Sequence, residues 1–262
     1  MLVCFKVVRD LEYITPAELS ALRDGRLNMS VFRQVIGAYD EAALETALCL
    51  ADALHNEKTG VSLHALTVGD CESRFVKDLY SLGFEEVVCL ATQQDITWRP
   101  EFTAANIAAF IRAGNSYDLI LAGKQASPGE NALMPKLLAR ELNLPCLPEV
   151  LELNPGAKGI EAVCKTDRGK CFLTLIRPAV CVIGEAVHPY LRAATLREKL
   201  AAASKELRVL QAADVLSSMG TGRHLHYIYE TPEKHCHFIE GAGLKQKIHI
   251  LWTQYLRQWV KS

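Results

Sequence analysis

The sequence predicts an α/β fold built on a mostly parallel, doubly wound sheet. Short apolar runs alternate with amphipathic helical segments from the N-terminus to Pro145, which is the pattern of repeated βα units. Half of the 262 residues are hydrophobic and 23% are charged, so the chain can bury a sizeable core. From Pro148 onward, short strands follow one another through turn residues typical of hairpins, which predicts an antiparallel extension of the sheet.

The elements before the extension follow in a regular order. Strands are expected at residues 2–8, 61–68, 86–90 and 119–121, and helices at residues 40–54, 72–82 and 100–112. The helix at 40–54 has the strongest amphipathic pattern. Residues 10–35 are polar and irregular and are expected to hold an exposed turn near Asp24. Loops after residues 8, 68, 90 and 122 should meet at the carboxyl ends of the strands, where parallel sheets bind ligands.

The clearest boundary between a strand and a helix lies within residues 117–145. A strand there stops at Gly123, and leucines recur at helical spacing after the S-P-G-E turn. Ser127 is expected to be the N-cap, Pro128 the first helical residue, and Glu130 the second half of a capping box. Such a helix start favours a phosphate because of its free N–H groups, whereas the Glu130 carboxylate would disfavour one. The pattern alone leaves a phosphate site and an empty βα turn both open.

The segment Gly123-Lys124-Gln125-Ala126, placed directly after a buried strand, resembles the GKQA signature of the small (β) subunit of electron-transferring flavoproteins. In that family the loop leads to a helix start that holds the phosphate of an adenine nucleotide. Residues 6–10 (KVVRD) and 37–41 (GAYDE) are similar to two further family motifs, although prolines of both motifs are replaced here. The resemblance covers nearly the full length and implies a Rossmann-like fold that binds an adenine nucleotide.

The resemblance implies a cofactor site made from several separate segments and no catalytic residues. Its expected residues are Cys4, Gly37, Ala38, Tyr39, Asp40, Val68, Gly123, Lys124, Gln125, Ala126, Ser127, Pro128, Gly129, Glu130, Asn131, Ala132 and Leu133. The plainer alternative makes Tyr39 a hydrophobic staple, Asp40 a helix cap and Val68 a core residue. Without the resemblance, the residues themselves favour that alternative.

The C-terminal part is expected to contain short strands and a basic helix, followed by a linker and an apolar helix. Strands at 149–153, 160–165, 170–176 and 179–183 form the antiparallel extension, and a basic helix follows at 191–210. Residues 214–223 are expected to be a linker, and 244–260 an apolar helix with Trp252, Tyr255, Leu256 and Trp259. The predicted domains are therefore a nucleotide-binding α/β domain at 1–210, with its extension from about 148, and a docking arm at 211–262.

Composition excludes several classes of partner. Lys and Arg number 29 against 30 Asp and Glu, so neither nucleic acid nor an anionic membrane is expected as an obligatory partner. No run is long enough for a membrane-spanning helix, and the N-terminus is charged too early for a signal peptide. Nine cysteines without a C-x-x-C pattern are expected to be reduced thiols. These features predict a cytoplasmic protein without membrane insertion.

A histidine patch near the C-terminus raises the question of a metal. His224 and His226 form H-x-H, and H-C-H follows at residues 235–237; such clusters bind zinc or copper in some proteins, but more often they are surface polar sequence. No metal site is assigned. The chain also lacks a Walker loop, G-x-G-x-x-G and G-x-S-x-G, so it is expected to be a binding scaffold. The resemblance implies a redox carrier whose chemistry belongs to a cofactor.

Two functions compete at this point. The resemblance implies the small subunit of a heterodimeric electron-transferring flavoprotein, which passes electrons from a partner dehydrogenase to a redox acceptor. A large subunit would hold most of a shared FAD, and this chain would bind AMP or a second FAD. The alternative is a free-standing nucleotide-binding sensor domain of universal-stress-protein type. The C-terminal arm favours the carrier, because a sensor domain has no use for it.

Overall fold

The computed structural model describes residues 1–24, 26, 28–69, 71–114, 116–127, 129–212 and 236–257. The chain divides into two compact units, Met1–Gly220 and Thr221–Ser262.

The first unit is an α/β layer structure around one large sheet. Its main-sheet strands are β1 (Leu2–Cys4), β4 (His64–Val68), β5 (Glu86–Ala91), β6 (Leu119–Gly123), β7 (Cys146–Gly156), β8 (Gly159–Thr166), β9 (Gly169–Thr174), β10 (Ala179–Ile183) and β11 (Arg208–Gln211). A separate two-stranded sheet contains β2 (Val7–Arg9) and β3 (Gln34–Ile36). The helices are α1 (Pro16–Arg23), α2 (Ala38–Asn56), α3 (Ser73–Ser81), α4 (Pro100–Arg112), α5 (Met134–Leu142) and α6 (Leu196–Ala202).

The main sheet has nine strands in the order β11-β5-β4-β1-β6-β10-β7-β8-β9. The pairs from β11 to β7 are parallel, while β7, β8 and β9 pair antiparallel. The predicted α/β class and the mostly parallel sheet are therefore confirmed, and the antiparallel extension is confirmed for β7, β8 and β9. The strand expected at residues 179–183 does not belong to that extension, because β10 lies between β6 and β7 and pairs in parallel with both. The crossovers place β1 at the centre, so its carboxyl end meets those of β4 and β6.

Helices cover both faces of the parallel part of the sheet, because successive apolar side chains of each strand point to opposite faces. Val3 of β1 and Leu121 of β6 point to one face, where they pack with α2 and α3 in the larger core. Leu2 and Ile120, their neighbours along the same strands, point to the other face and pack with α4 and α5. Each of these four side chains is at most 1% exposed, so the sheet centre is rigidly packed on both sides.

The strand expected at residues 2–8 is interrupted, which corrects the position of one loop. β1 ends at Cys4, and the backbone N–H of Lys6 donates to a carboxylate oxygen of Asp40 at 2.9 Å instead of continuing the ladder. β2 then pairs with β3 in the small sheet. The chain therefore leaves the main sheet after residue 4, and not after residue 8.

The basic helix expected at residues 191–210 is also wrong. The structure has the short helix α6 and then β11, which pairs in parallel with β5 at the edge of the sheet. Leu210 packs against the second core, and Arg208 pairs with Glu86 of β5. Residues 208–211 therefore form a strand, because pairing with β5 and these contacts outweigh the local helical pattern.

Residues 10–35 contain a helix that the sequence analysis does not predict. Thr15 caps α1, because its hydroxyl accepts from the N–H of Glu18 at 3.2 Å and its own N–H donates to the Glu18 carboxylate at 2.8 Å. T-P-A-E is a complete S/T-x-x-E signature with proline at the first helical position, so this helix could have been found.

The second unit contains α7 (Leu244–Ile250), which continues as a π-helical segment, Leu251–Leu256. The expected C-terminal helix is thus confirmed as far as Leu256. Its remainder, with Trp259, and the expected linker lie outside the described residues. Large apolar side chains are exposed along the described part: Leu244, Ile248, Leu251, Trp252, Tyr255 and Leu256.

Candidate functional site

A cleft opens at the carboxyl ends of the central strands β1, β4 and β6. It contains about 750 Å³ of empty space, counting its open mouth. Its wall includes Cys4, Phe5, Lys6, Asp40, Leu66, Val68, Ile96, Thr97, Pro100, Thr103, Ile107, Gly123, Lys124, Gln125, Ala126, Glu130, Asn131, Ala132, Leu133, Met134 and Pro135. This is the edge of a parallel sheet at which ligands normally bind.

Asp40 joins two strand ends at the base of the cleft. Its side chain is buried at the start of α2, with 4% of the residue exposed. One carboxylate oxygen accepts from the N–H of Lys6 after β1 at 2.9 Å, and the other accepts from the N–H of Gly123 at the end of β6 at 3.1 Å. These bonds fix the chain on both sides of the cleft, so Asp40 does more than cap a helix.

Gly123 allows this arrangement because it lacks a side chain. A Cβ at this position would lie 2.3 Å from a carboxylate oxygen of Asp40 and 2.7 Å from the carbonyl carbon of Tyr39. Both distances are far shorter than any van der Waals contact. The glycine of the GKQA signature is therefore required by the close approach of α2 to β6.

Burial changes the acidity of Asp40. The loss of solvent raises the pKa of its carboxyl to about 7, although the N–H groups of Lys6 and Gly123 and the charge of Lys6 act in the opposite direction. The buried carboxyl is thus balanced between its charged and neutral forms near neutral pH.

The loop that follows β6 differs from the expected capping box. α5 begins at Met134, seven residues after Ser127, and Leu133 precedes it without a side-chain cap. Gly129, Glu130 and Ala132 all have positive φ angles, of 116°, 41° and 53°, so the chain turns sharply here and cannot be helical. Pro128 lies outside the described residues.

Glu130 does not occupy the start of α5, although it is one of the residues that line the cleft. Glu130 is exposed and lies outside the first turn of α5, which contains no acidic residue. Asn131 instead organises the approach to the helix, because its side-chain oxygen accepts from the N–H of Leu133 at 3.1 Å. The positive end of this helix dipole is therefore not neutralised by its own first turn.

Lys124 is held by a strand of the extension. Its ammonium pairs with the Glu149 carboxylate of β7 at 2.5 Å, and that contact raises the pKa of Lys124. Its backbone N–H donates to the carbonyl of Ile183 at the end of β10, at 2.8 Å. The GKQA loop is thus tied to the neighbouring strands by both main chain and side chain.

Most of the expected site residues lie together. The cleft wall contains Cys4, Asp40, Val68, Gly123, Lys124, Gln125, Ala126, Glu130, Asn131, Ala132 and Leu133. Gly37, Ala38, Tyr39, Ser127 and Gly129 are outside the residues that line it, although Gly37 lies beside Ala126. The sequence analysis missed Lys6 and the segment from Ile96 to Thr103. A cation just after the first strand was the available signal for Lys6.

Comparison with models of protein families tests the resemblance that the motifs suggest. The model of the electron transfer flavoprotein domain matches residues 32–215, which is more than half of the chain. This chain belongs to the electron transfer flavoprotein family. The match includes α2, the GKQA loop and the antiparallel extension. The predicted family is therefore confirmed, and with it a role in flavin-linked electron transfer.

Individual members of the electron transfer flavoprotein family support this conclusion. YgcR of Escherichia coli (strain K12), named as an electron transfer flavoprotein subunit, is 31% identical over 98% of both chains. The electron transfer flavoprotein subunit beta of Bacillus subtilis (strain 168) is 25% identical over 55% of each chain. CarD of Acetobacterium woodii, a subunit of a caffeyl-CoA reductase-Etf complex, is 28% identical over 58% of this chain and 56% of its own.

Two other expectations concern a membrane-spanning helix and a metal site. In the described parts of this family member, no helix has the length and apolarity needed to cross a membrane. Cys236 and His237 of the histidine patch are described and exposed, while His224, His226 and His235 lie outside the described residues. Among the residues that can be assessed, no group of three potential metal ligands comes together.

Proposed function

We propose that the chain is the small subunit of a heterodimeric electron-transferring flavoprotein and binds an adenine nucleotide, AMP or a second FAD, in the cleft at the ends of β1, β4 and β6. The observation that carries the proposal is the position of the GKQA loop. In a member of this family, the loop forms one wall of an open cleft at the ligand-binding edge of a parallel sheet.

The residues of the cleft suit an adenine nucleotide. Leu66, Val68 and Ile107 provide an apolar wall on which a flat base can pack. Thr97, Thr103, Gln125 and Asn131 offer polar atoms for the base edge and the ribose. The backbone has positive φ angles at Gly129, Glu130 and Ala132 and then leads to the start of α5, an arrangement that suits a phosphate.

The redox group would be an FAD shared with a larger subunit. Its flavin ring accepts and donates one or two electrons, which is chemistry that no side chain of this protein supplies. Because CarD is named for a reductase complex, a flavin-dependent dehydrogenase or reductase is the class of electron-exchange partner that we propose. The chain itself would position the cofactor and bind the other subunit.

Release of bound nucleotide tests the proposed site. The chain is purified with its large subunit, the complex is denatured, and the released compounds are separated by chromatography. We expect FAD together with AMP, or close to two FAD per complex. Recovery of one FAD and no further adenine compound would refute the site.

A pair of matched variants locates the nucleotide within the chain. Ala126 lies on the cleft wall, so Ala126→Phe should fill the cleft and prevent recovery of the second adenine compound. Ala157 lies in the exposed turn between β7 and β8, so Ala157→Phe should leave recovery at the wild-type level. Equal recovery from both variants would place the nucleotide elsewhere.

A further inference from the structure

The cleft wall contains four charged side chains, and three of them already have a role or face solvent. Asp40 accepts two backbone hydrogen bonds, Lys124 pairs with Glu149, and Glu130 is exposed. Lys6 is the fourth. It lies two residues after the end of β1 and lines the cleft where the ends of the central strands converge.

Lys6 is a partly buried cation without an ion pair. No carboxylate of the described residues lies within 4.0 Å of its ammonium, and Asp40, whose charge acts on Lys6, directs its oxygens to backbone N–H groups. Burial lowers the pKa of Lys6, while the charge of Asp40 acts against that shift. A cation that has lost part of its solvent and has no carboxylate partner is stabilised by an anion that a ligand supplies.

We propose that Lys6, rather than Lys124 of the GKQA signature, is the residue that recognises the anionic group of the ligand in this cleft. The identity of that ligand, an adenine nucleotide, rests on the proposed function; the anionic group is then its phosphate. Lys124 has a different task, because its pairing with Glu149 fastens the loop to the extension.

We expect substitution of the Lys6 side chain to leave the local fold intact. The hydrogen bond to Asp40 comes from the backbone N–H of Lys6, so Lys6→Gln and Lys6→Arg both retain it. Lys158, in the exposed turn between β7 and β8, gives a matched surface control. Lys124→Gln tests the competing assignment of the anion to the signature lysine.

The experiment compares AMP with adenosine, which lacks the phosphate. Dissociation constants are measured by calorimetry on the full-length chain and its variants. For Lys6→Gln we expect affinity for AMP to fall by about 10- to 100-fold, with affinity for adenosine nearly unchanged. Lys6→Arg should restore most of the preference for AMP. Lys124→Gln should change both affinities by the same factor, and Lys158→Gln should change neither.

The outcomes separate this proposal from the proposed function. If Lys6→Gln retains the wild-type preference for AMP and Lys124→Gln loses it, the assignment to Lys6 is wrong. If the wild-type chain binds neither AMP nor adenosine, the proposed nucleotide site fails, and inorganic phosphate becomes the probe. Weaker phosphate binding by Lys6→Gln would then support the proposal, whereas equal binding, or none to the wild type, would overturn it.

Discussion

At the scale of single residues, Gly123 is the position most sensitive to a small change. In Gly123→Ala, the new methyl group would lie within 3 Å of both Asp40 and the backbone of Tyr39. We expect a loss of about 1–3 kcal/mol in the free energy of unfolding, because α2 or the end of β6 must move.

Gly60 provides the matched control for that substitution. A Cβ at Gly60 would meet no atom within 4 Å, so Gly60→Ala should change stability by less than about 0.5 kcal/mol or increase it slightly. Urea denaturation of both variants makes the comparison. Equal stability of the two variants would show that α2 does not approach β6 as closely as described.

The buried carboxyl of Asp40 predicts a specific dependence of stability on pH. Its pKa is raised to about 7 by burial, so the folded protein holds this proton more tightly than the unfolded chain, where the pKa is about 3.9. The stabilisation from the protonated group is complete below the unfolded value and is lost as the pH rises through about 7. The wild type should therefore lose stability relative to Asp40→Asn between about pH 4 and pH 7, and not beyond.

Urea denaturation at several pH values between 4 and 8.5 measures that difference. Because all other titrating groups are common to both proteins, their contributions cancel to a first approximation. A difference in unfolding free energy that stays constant across this range would mean that Asp40 is ionised throughout.

At the scale of elements, Arg192 fastens the segment after β10 to helix α2. Its backbone N–H and Nε donate to the two carboxylate oxygens of Glu45 at 2.9 Å and 2.8 Å, and a guanidinium nitrogen donates to Asp52 at 2.6 Å. The Glu45 side chain is only 8% exposed, so it relies mainly on Arg192 for its hydrogen bonds, with the Cys49 thiol as a further donor at 3.4 Å.

Removal of the Arg192 side chain should therefore destabilise the protein. We expect Arg192→Ala to cost about 1.5–3 kcal/mol, the range for hydrogen bonds to a charged group, with screening by solvent favouring the lower end. Arg197 is exposed and makes no side-chain hydrogen bond or ion pair with the rest of the described chain, so Arg197→Ala should fall within about 0.5 kcal/mol of the wild type. Thermal denaturation compares the two, and an equal effect would contradict the described role of Arg192.

Some helices and strands could be predicted from the sequence, and others could not. α3 and α4 were predictable because their apolar spacing is set by burial against the sheet, and Gly83, with φ of 101°, ends α3 as expected. The start of α5 was not predictable from S-P-G-E, because the positive φ angles that displace it depend on contacts of the cleft. The edge strand β11 depends on its pairing with β5, which is a long-range contact.

For the candidate site, the sequence predicts the position of a loop but not the roles of single residues. The GKQA segment lines one wall of the cleft, as its position after a buried strand at the sheet edge predicts. The roles of single residues required the structure. Asp40 has the sequence pattern of an ordinary helix-start residue, and only the fold brings Lys6 and Gly123 to its two oxygens.

At the scale of the whole molecule, the C-terminal helix is the segment that we expect to bind the large subunit. Ile248, Trp252 and Tyr255 recur at helical spacing and are 38–55% exposed, which is typical of side chains that a partner covers. Truncation after Gly243 should abolish co-purification with the large subunit. Two variants of the helix test whether apolar or charged side chains bind the partner. Trp252→Ser should weaken the complex, and Lys247→Ser should not. Full assembly of the truncated chain would contradict this role.

The most direct test of the account is native mass spectrometry of the chain purified with its large subunit. We expect one species whose mass equals one copy of each chain plus one FAD and one further adenine nucleotide. Collisional release should yield AMP or a second FAD from the complex that contains this chain. A 1:1 complex that carries one FAD and nothing else would contradict the nucleotide site, and a chain that never appears with a large subunit would contradict the central claim.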